Sequence, residues 1–256
     1  MRSATSNLEP EARRAFRRRL LRWFDQKQRD LPWRADRDPY HVWISEIMLQ
    51  QTRVAVVRER YRDFLQRFPA VERLAAAELP QVLAAWSGLG YYRRARALHA
   101  AARQIKTSRA FPHTADELAQ LPGIGRYTAA AIASIAFGEP RAVVDGNVER
   151  VLARLFRMRK QDAWTVAAEL LSPRRPGDFN QAMMELGATV CVPGTPRCDE
   201  CPISRWCRTR GAGSCRPTPH RRKAEIAYAL AVRRDSVLLV QRNDGESLMP
   251  GMWELP

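Results

Sequence analysis

The chain has 256 residues and 45% of them are hydrophobic, which is enough to bury one or two cores. It contains no run of about 20 apolar residues, so the sequence excludes a helix that spans a bilayer. The formal net charge of +16 favours nucleic acid as partner over a membrane surface. A general preference for arginine over lysine explains the type of cation, but it does not explain the excess of positive charge.

The first 215 residues predict an all-α body with short connections. Apolar positions recur at helical spacing and predict helices over 8–28, 40–67 (one or two helices), 71–86, 91–107, 114–121, 126–137, 147–157, 161–171 and 178–190. The first of these is Arg-rich and amphipathic, as transit peptides are, but its acidic residues indicate an ordinary helix.

The composition changes at residues 216–224, which form a basic linker that contains proline. Beyond it, residues 226–232 and 237–240 flank a polar turn and predict a β-hairpin. A segment of about 30 residues cannot hold a β core alone. We therefore expect residues 225–256 to be the start of a β-rich domain, or to pack on the helical body.

Four cysteines lie within a 17-residue run, at Cys191, Cys198, Cys201 and Cys207. A large chain without a secretory signal is not expected to use this spacing for disulfides, and four thiolates from one short loop predict a metal centre. Zinc sites usually have two pairs of cysteines separated by about two residues, and here only Cys198 and Cys201 form such a pair. This spacing favours a [4Fe–4S] cluster. Zinc and unliganded core cysteines are the alternatives, and Cys215 has no assigned partner. Because the ligands must stay thiolates, we expect a reducing, cytoplasmic location.

The sequence Leu121-Pro-Gly-Ile-Gly125 predicts a tight turn between two helices. Gly123 and Gly125 allow backbone angles that a side chain would forbid, and they leave N–H groups uncovered where the next helix begins, before Thr128. The free donors and the helix dipole favour an anion there. A purely structural turn is the alternative. In so basic a chain we favour a DNA phosphate, whose contact reads no base sequence.

Two acidic residues stand out. Glu46 lies in an apolar run, and a carboxyl group there should be desolvated, which raises its pKa and keeps a proton available. A surface glutamate on an amphipathic helix is the alternative. Asp145 precedes a helix and is expected to cap it, a role that is compatible with chemistry because a cap fixes the carboxylate.

The motifs LPGIGRYTAAAI and VDGNVERV, followed by the cysteine run, resemble the helix-hairpin-helix DNA glycosylase superfamily. The upstream run WISEIMLQQTRV narrows the resemblance to MutY-type adenine DNA glycosylases over about residues 8–215. It implies a two-lobed fold, with a six-helix domain at 31–140, a cluster domain from 1–30 and 141–215, and an incomplete Nudix-like domain at 225–256.

The resemblance also implies the activity: hydrolysis of the N-glycosidic bond of adenine mispaired with 8-oxoguanine or guanine, in base excision repair. The expected partner is double-stranded DNA that carries the mispair, and the expected state is a monomer. Because residues 225–256 resemble only the first strands of the Nudix-like domain, we expect adenine excision with weakened discrimination between the two mispairs.

By the same resemblance, Glu46 protonates N7 of adenine, Asp145 faces the anomeric carbon of the sugar, and Asn147 supports Asp145. Tyr127 stands where lyase-type relatives carry a lysine, and residues 107–159 contain none, which implies a monofunctional glycosylase. A packing tyrosine is the alternative. A lyase-type glycosylase of oxidised pyrimidines and a non-enzymatic iron–sulfur DNA-binding protein are alternative functions.

The target base must leave the stack before it can react. The resemblance implies that Gln51 and Tyr91 wedge into the stack beside the oxidised guanine and that Gln50 shares this role. The pocket for the extruded adenine is expected to be lined by Arg29, Leu31, Trp33 and Gln181.

Overall fold

The computed structural model describes residues 8–210, 228–243, 245 and 251–256. The predicted linker at 216–224 and Cys215 lie outside the described residues. Among the helices that the structure describes, none is long and apolar enough to cross a membrane.

Residues 8–210 form the predicted all-α body. Its helices are α1 (Pro10–Lys27), α2 (Pro39–Leu49), α3 (Val54–Arg67), α4 (Val71–Ala76), α5 (Leu79–Ala85), α6 (Arg93–Ser108), α7 (Ala115–Leu118), α8 (Arg126–Ala136), α9 (Gly146–Phe156), α10 (Ala163–Leu170) and α11 (Pro176–Thr189). The prediction over 71–86 divides into two helices because Pro80 lies in the first turn of α5, where a missing N–H costs nothing. For the same reason α11 begins at Pro176, two residues before its predicted start.

The C-terminal tail contains four short strands in the described part. β1 (Val232–Arg233) pairs antiparallel with β2 (Ser236–Val237), and β3 (Val240–Gln241) pairs antiparallel with β4 (Trp253–Glu254). The predicted hairpin is therefore present but shorter. Its apolar side chains are mostly exposed, so these described strands enclose no core of their own.

The helical body has two separate hydrophobic cores. The first is formed by α2–α8 and includes Trp43, Phe64 and Trp86. The second brings α1 together with α9, α10 and α11 and includes Phe16 and Phe179. Helices from the two ends of the body thus share one core. This arrangement supports the proposed domain division, whose boundaries stay a prediction.

Helices α8 and α11 carry the contact between the two cores. The Asn180 side chain donates to Ser134 Oγ at 2.9 Å and to Arg141 O at 2.8 Å, and it accepts from Val143 N at 3.2 Å. At Gly177 the helices approach so closely that an added Cβ would lie 2.5 Å from Ser134 O. Glycine is needed here for space rather than for backbone freedom.

We expect Gly177→Ala to destabilise the protein by about 1–3 kcal/mol, because the methyl group forces α8 and α11 apart. Gly146→Ala is the matched control, since a Cβ there meets no atom of the described chain within 4 Å. Urea denaturation of both variants measures the difference. Equal stability of the two variants would show that the helices separate without cost.

Candidate active site

A cavity of about 470 Å³ lies where α2, α8, α9 and α11 meet, between the two cores. Its size is that of a small-molecule site. Its walls include eight side chains predicted for catalysis or the base pocket: Arg29, Leu31, Trp33, Glu46, Tyr127, Asp145, Asn147 and Gln181. Gln50 and Gln51 also line it. The two carboxylates singled out in the sequence therefore share one cavity.

Glu46 is on the last turns of α2 and is 7% exposed. Burial raises the pKa of this carboxyl from 4.5 to about 7. A hydrogen bond from the Tyr127 hydroxyl opposes the rise, the negative charge of Asp145 adds to it, and the Arg34 guanidinium opposes it. The expected desolvated carboxyl is present, so a surface glutamate is excluded.

Tyr127 is the second residue of α8 and its hydroxyl lies between two acceptors. It donates to Met184 Sδ at 3.3 Å, and its interaction with the Glu46 carboxyl lowers the pKa of that carboxyl. Burial raises the pKa of Tyr127 well above its usual range, and the charges of Glu46 and Asp145 raise it further. The phenol is therefore a neutral donor.

Asp145 caps α9, as the sequence predicts. Its Oδ1 accepts from Val148 N at 2.7 Å, and its Oδ2 accepts from Asn147 Nδ2 at 3.0 Å. The two bonds fix the carboxylate at the positive end of the helix dipole. Tyr127 and Asp145 thus reach the cavity from the first turns of two different helices.

A chain of hydrogen bonds connects Asp145 to the cysteine loop. Asn147 Oδ1 accepts from Arg150 at 2.7 Å, and Arg150 Nε donates to Cys191 O at 2.9 Å. Arg150 also donates to Gly187 O at 2.8 Å. The orientation of Asn147, and through it that of Asp145, therefore depends on where the cysteine loop lies.

Sequence reasoning missed Glu185, which is 1% exposed and lies beside the cavity. It forms ion pairs with Arg29 at 2.7 Å and with Arg34 at 2.9 Å. Burial opposes its charge, but the bonds from the two arginines prevail and lower the pKa of Glu185. Arg29 thus lines the cavity as half of an ion pair. Helical spacing was the available signal, because Glu185 lies four residues after Gln181.

The residues predicted to enter the base stack lie on two turns, of which the one at residues 50–52 lines the cavity. Gln51 and Tyr91 both have positive φ, 56° and 47°, and Tyr91 is 53% exposed. Gln50 Nε2 donates to Thr128 Oγ1 at 3.1 Å, and the Thr128 side chain is buried. Thr128 is only 1% exposed as a whole residue, so its contact with DNA stays a prediction.

In the glycine turn before α8, the predicted left-handed backbone is present at Gly123 but not at Gly125. Gly123 has φ +76°, and a Cβ there would lie 2.6 Å from Ala97 Cβ. Gly125 has an ordinary φ of −86°, so the predicted need for backbone freedom there is wrong. A Cβ at Gly125 would meet nothing in the described chain, and no side chain described here caps α8. Leu121 packs against the first core.

The four cysteines line one small cavity of about 30 Å³ next to the second core. Burial raises the pKa of Cys201 to about 11, and the neighbouring thiols Cys191, Cys207 and Cys198 contribute to the rise. Four thiols this close together fit a cationic centre, because its positive charge offsets the repulsion among thiolates. Within the described ranges, however, no three His, Cys, Asp or Glu side chains are grouped closely enough to hold a single metal ion.

Comparisons with known proteins identify the family of the chain. Residues 44–176 match the HhH-GPD superfamily base excision DNA repair protein family. The chain is 50% identical over 215 residues to human adenine DNA glycosylase, covering 77% of this chain and 39% of that protein. It is 32% identical to adenine DNA glycosylase of Buchnera aphidicola subsp. Schizaphis graminum, covering 94% of this chain and 74% of that protein. The chain therefore spans less than half the length of its human relative.

Solved structures show the same fold. A thermostable thymine-DNA glycosylase superposes with a TM-score of 0.71 at 30% identity, covering 77% of this chain and 95% of that chain. A non-covalent endonuclease III–DNA complex superposes with a TM-score of 0.66 at 24% identity, covering 78% and 96%.

The raised pKa of Glu46 has a consequence for stability. The folded protein favours the protonated carboxyl. The contribution of this carboxyl to the free energy of unfolding is therefore complete below pH 4.5 and is lost as the pH rises through about 7. Glu46→Gln removes this dependence. We subtract the free energy of unfolding of wild type from that of Glu46→Gln. This difference should rise by about 3 kcal/mol between about pH 5 and pH 9, because only wild type loses stability as Glu46 ionises.

Urea denaturation across this range measures the effect, with Glu149→Gln on α9 as the control that should follow wild type. A difference between Glu46→Gln and wild type that does not change with pH would contradict the burial of an ionisable carboxyl.

Proposed function

The chain belongs to the HhH-GPD superfamily of base excision DNA repair proteins, and on this premise we propose that it is an adenine DNA N-glycosylase. Its proposed substrate is duplex DNA in which adenine is mispaired with 8-oxoguanine or guanine. The observation that carries the proposal is the cavity shared by Glu46 and Asp145. The Glu46 carboxyl is buried and has a raised pKa, as an acid needs, whereas the Asp145 carboxylate accepts two hydrogen bonds.

Cleaving an N-glycosidic bond needs a neutral leaving base and a stabilised sugar cation. Burial raises the pKa of Glu46 to about 7, so this carboxyl can still hold a proton near neutral pH, where an ordinary glutamate is ionised. It donates this proton to N7 of the extruded adenine as the bond to the sugar breaks. The resulting carboxylate then takes a proton from the water that attacks the anomeric carbon.

Asp145 supplies the negative charge that faces the developing sugar cation. Its two hydrogen bonds, from Val148 N and Asn147 Nδ2, hold the carboxylate in one orientation, so little reorganisation accompanies the reaction. Tyr127 is a neutral donor that links α8 to Glu46 and offers no amine for a Schiff base. This supports base removal without strand cleavage.

The walls of the cavity fit a flat, uncharged base. Leu31 and Trp33 supply apolar surface, and Gln181 supplies an amide that can donate and accept. The Glu185 carboxylate is neutralised by Arg29 and by a second arginine at residue 34. The cavity therefore presents Glu46 and Asp145 as its reactive acids.

The DNA backbone is expected at the start of α8. That helix begins after Gly125 without a side-chain cap among the described residues, and the missing Cβ leaves room for a phosphate. Arg126 adds a positive charge at the same helix end. The net charge of +16 supports an electrostatic grip on duplex DNA. Action as a monomer and a cytoplasmic location complete the proposal.

We also propose a [4Fe–4S] cluster on Cys191, Cys198, Cys201 and Cys207. A zinc ion needs four sulfurs about 2.3 Å from one point, whereas a cluster binds each cysteine to a different iron atom and spaces the ligands more widely. Four thiols that line one cavity beside the second core support the cluster. When bound, it supplies charge and rigidity to the loop that Arg150 joins to Asn147.

Protein purified without oxygen is expected to contain iron and acid-labile sulfide in equal amounts, because a [4Fe–4S] cluster holds four of each. Cys198→Ser should lose both, and chemical analysis measures them. Zinc as the sole metal in the wild-type protein would contradict the cluster.

The proposed activity is tested on a duplex with one adenine opposite 8-oxoguanine, under single-turnover conditions. Wild type should release adenine and give a strand break only after alkali. The rate should fall as the pH rises through about 7, because Glu46 loses its proton. Glu46→Gln and Asp145→Asn should each slow excision by about 10²–10⁴-fold.

Glu149→Gln is the matched control and should retain the wild-type rate. Breaks before alkali treatment, together with trapping of the enzyme on DNA by borohydride, would indicate the lyase-type alternative. An absence of excision by wild type would favour a DNA-binding protein without enzymatic activity.

A further inference from the structure

Arg94 is a buried cation whose partners are neutral oxygens. It is the second residue of α6 and is 8% exposed. Its guanidinium lies 5.5 Å from the Trp86 ring and 5.4 Å from the Tyr91 ring. Burial lowers the pKa of Arg94, so the charge is held at a cost that many hydrogen bonds must offset. Neither the proposed chemistry nor the phosphate site uses this residue.

The two terminal nitrogens of Arg94 contact two separate turns. Nη1 donates to the carbonyls that end α2, those of Ile47 at 2.9 Å, Met48 at 3.0 Å and Gln50. Nη2 donates to the carbonyls of Leu89 at 2.9 Å and Gly90 at 3.1 Å, and to Thr52 Oγ1 at 3.0 Å. One planar group thus fastens residues 50–52 to residues 89–91, which we call the paired turns.

Each of the paired turns carries a residue in a left-handed conformation. Gln51 follows the anchored carbonyl of Gln50, and Tyr91 follows the anchored carbonyl of Gly90. Positive φ is uncommon for residues other than glycine and persists where the surroundings impose it. The bonds from Arg94 impose it on both turns at once. Trp86 Nε1 adds a bond to Gly90 O at 3.1 Å.

We propose that Arg94 is a positioning residue that clamps the paired turns into one rigid wedge. This inference rests on the proposed function, because it assigns Gln51 and Tyr91 to the step in which adenine leaves the stack. Extrusion costs a few kcal/mol of stacking and pairing, so two side chains that enter together at a fixed spacing hold the opened state better than two independent loops. Ile47, which follows Glu46, is bound by the same guanidinium, so the wedge is also fixed relative to the general acid.

The test measures extrusion without catalysis. In a Glu46→Gln background, 2-aminopurine replaces the target adenine opposite 8-oxoguanine, and its fluorescence rises when the base leaves the stack. Arg94→Met removes the donors, and Arg94→Lys keeps the charge but lacks the fork that reaches both turns. We expect the extrusion equilibrium constant to fall about tenfold for methionine and by a smaller factor for lysine.

Arg93→Met is the matched control, because it removes the same charge from the exposed neighbouring position on α6. It should bind DNA more weakly yet keep the full fluorescence gain once DNA is saturating. In the free proteins, hydrogen exchange of the amides in the paired turns should accelerate in both Arg94 variants and not in Arg93→Met.

The outcomes separate the clamp from the proposed function. If wild type removes no adenine, the proposed function is overturned. Hydrogen exchange in the free proteins then still decides whether Arg94 holds the paired turns. If wild type removes adenine but the Arg94 variants match Arg93→Met in both fluorescence and hydrogen exchange, only the proposed clamp is overturned. If Arg94→Met fails to fold, Arg94→Lys carries the comparison, and its equality with Arg93→Met overturns the proposal.

Discussion

The carboxyl group of Glu46 is held in a place where water cannot fully solvate its charge, and the rest of the site is arranged around that constraint. Burial favours the protonated form of the acid, whereas a full ion pair favours the ionised form. The structure provides neither extreme. Tyr127 donates a neutral hydrogen bond, and the nearby guanidinium of Arg34 is largely committed to Glu185. The resulting pKa of about 7 lets one group both lose and regain a proton at neutral pH.

This environment requires two cores that meet at a fixed distance. Glu46 and Tyr127 come from the first core, while Asp145 caps a helix of the second. Close approach of backbones keeps the two parts in register. An added Cβ at Gly187 would lie 2.6 Å from Asn147 Cβ, so glycine there allows α11 to reach the residue that orients Asp145. The site is therefore as rigid as the packing between the cores.

Local patterns in the sequence predicted what local physics determines. Helical periodicity placed the helices, the apolar run around Glu46 predicted its desolvation, and the position of Asp145 predicted a cap. Contacts between distant segments left no such signal. Arg29 meets Glu185 across 156 residues, and Arg94 meets the end of α2 across more than 40. The left-handed backbone of Gln51 follows the carbonyl of Gln50 that Arg94 binds, and no local pattern indicated it. The backbone freedom that the sequence predicted at Gly125 is not used, because its φ is ordinary.

The central claim is that the Glu46 carboxyl titrates near neutrality in the folded protein. Selective 13C labelling of glutamate side chains, with Glu46→Gln to assign the resonance, measures this directly by NMR. The account predicts a carboxyl resonance that titrates at about pH 7 and is missing from the variant. A Glu46 carboxyl that titrates near its ordinary value of 4.5 would contradict the account, because no proton would then be held for the leaving base.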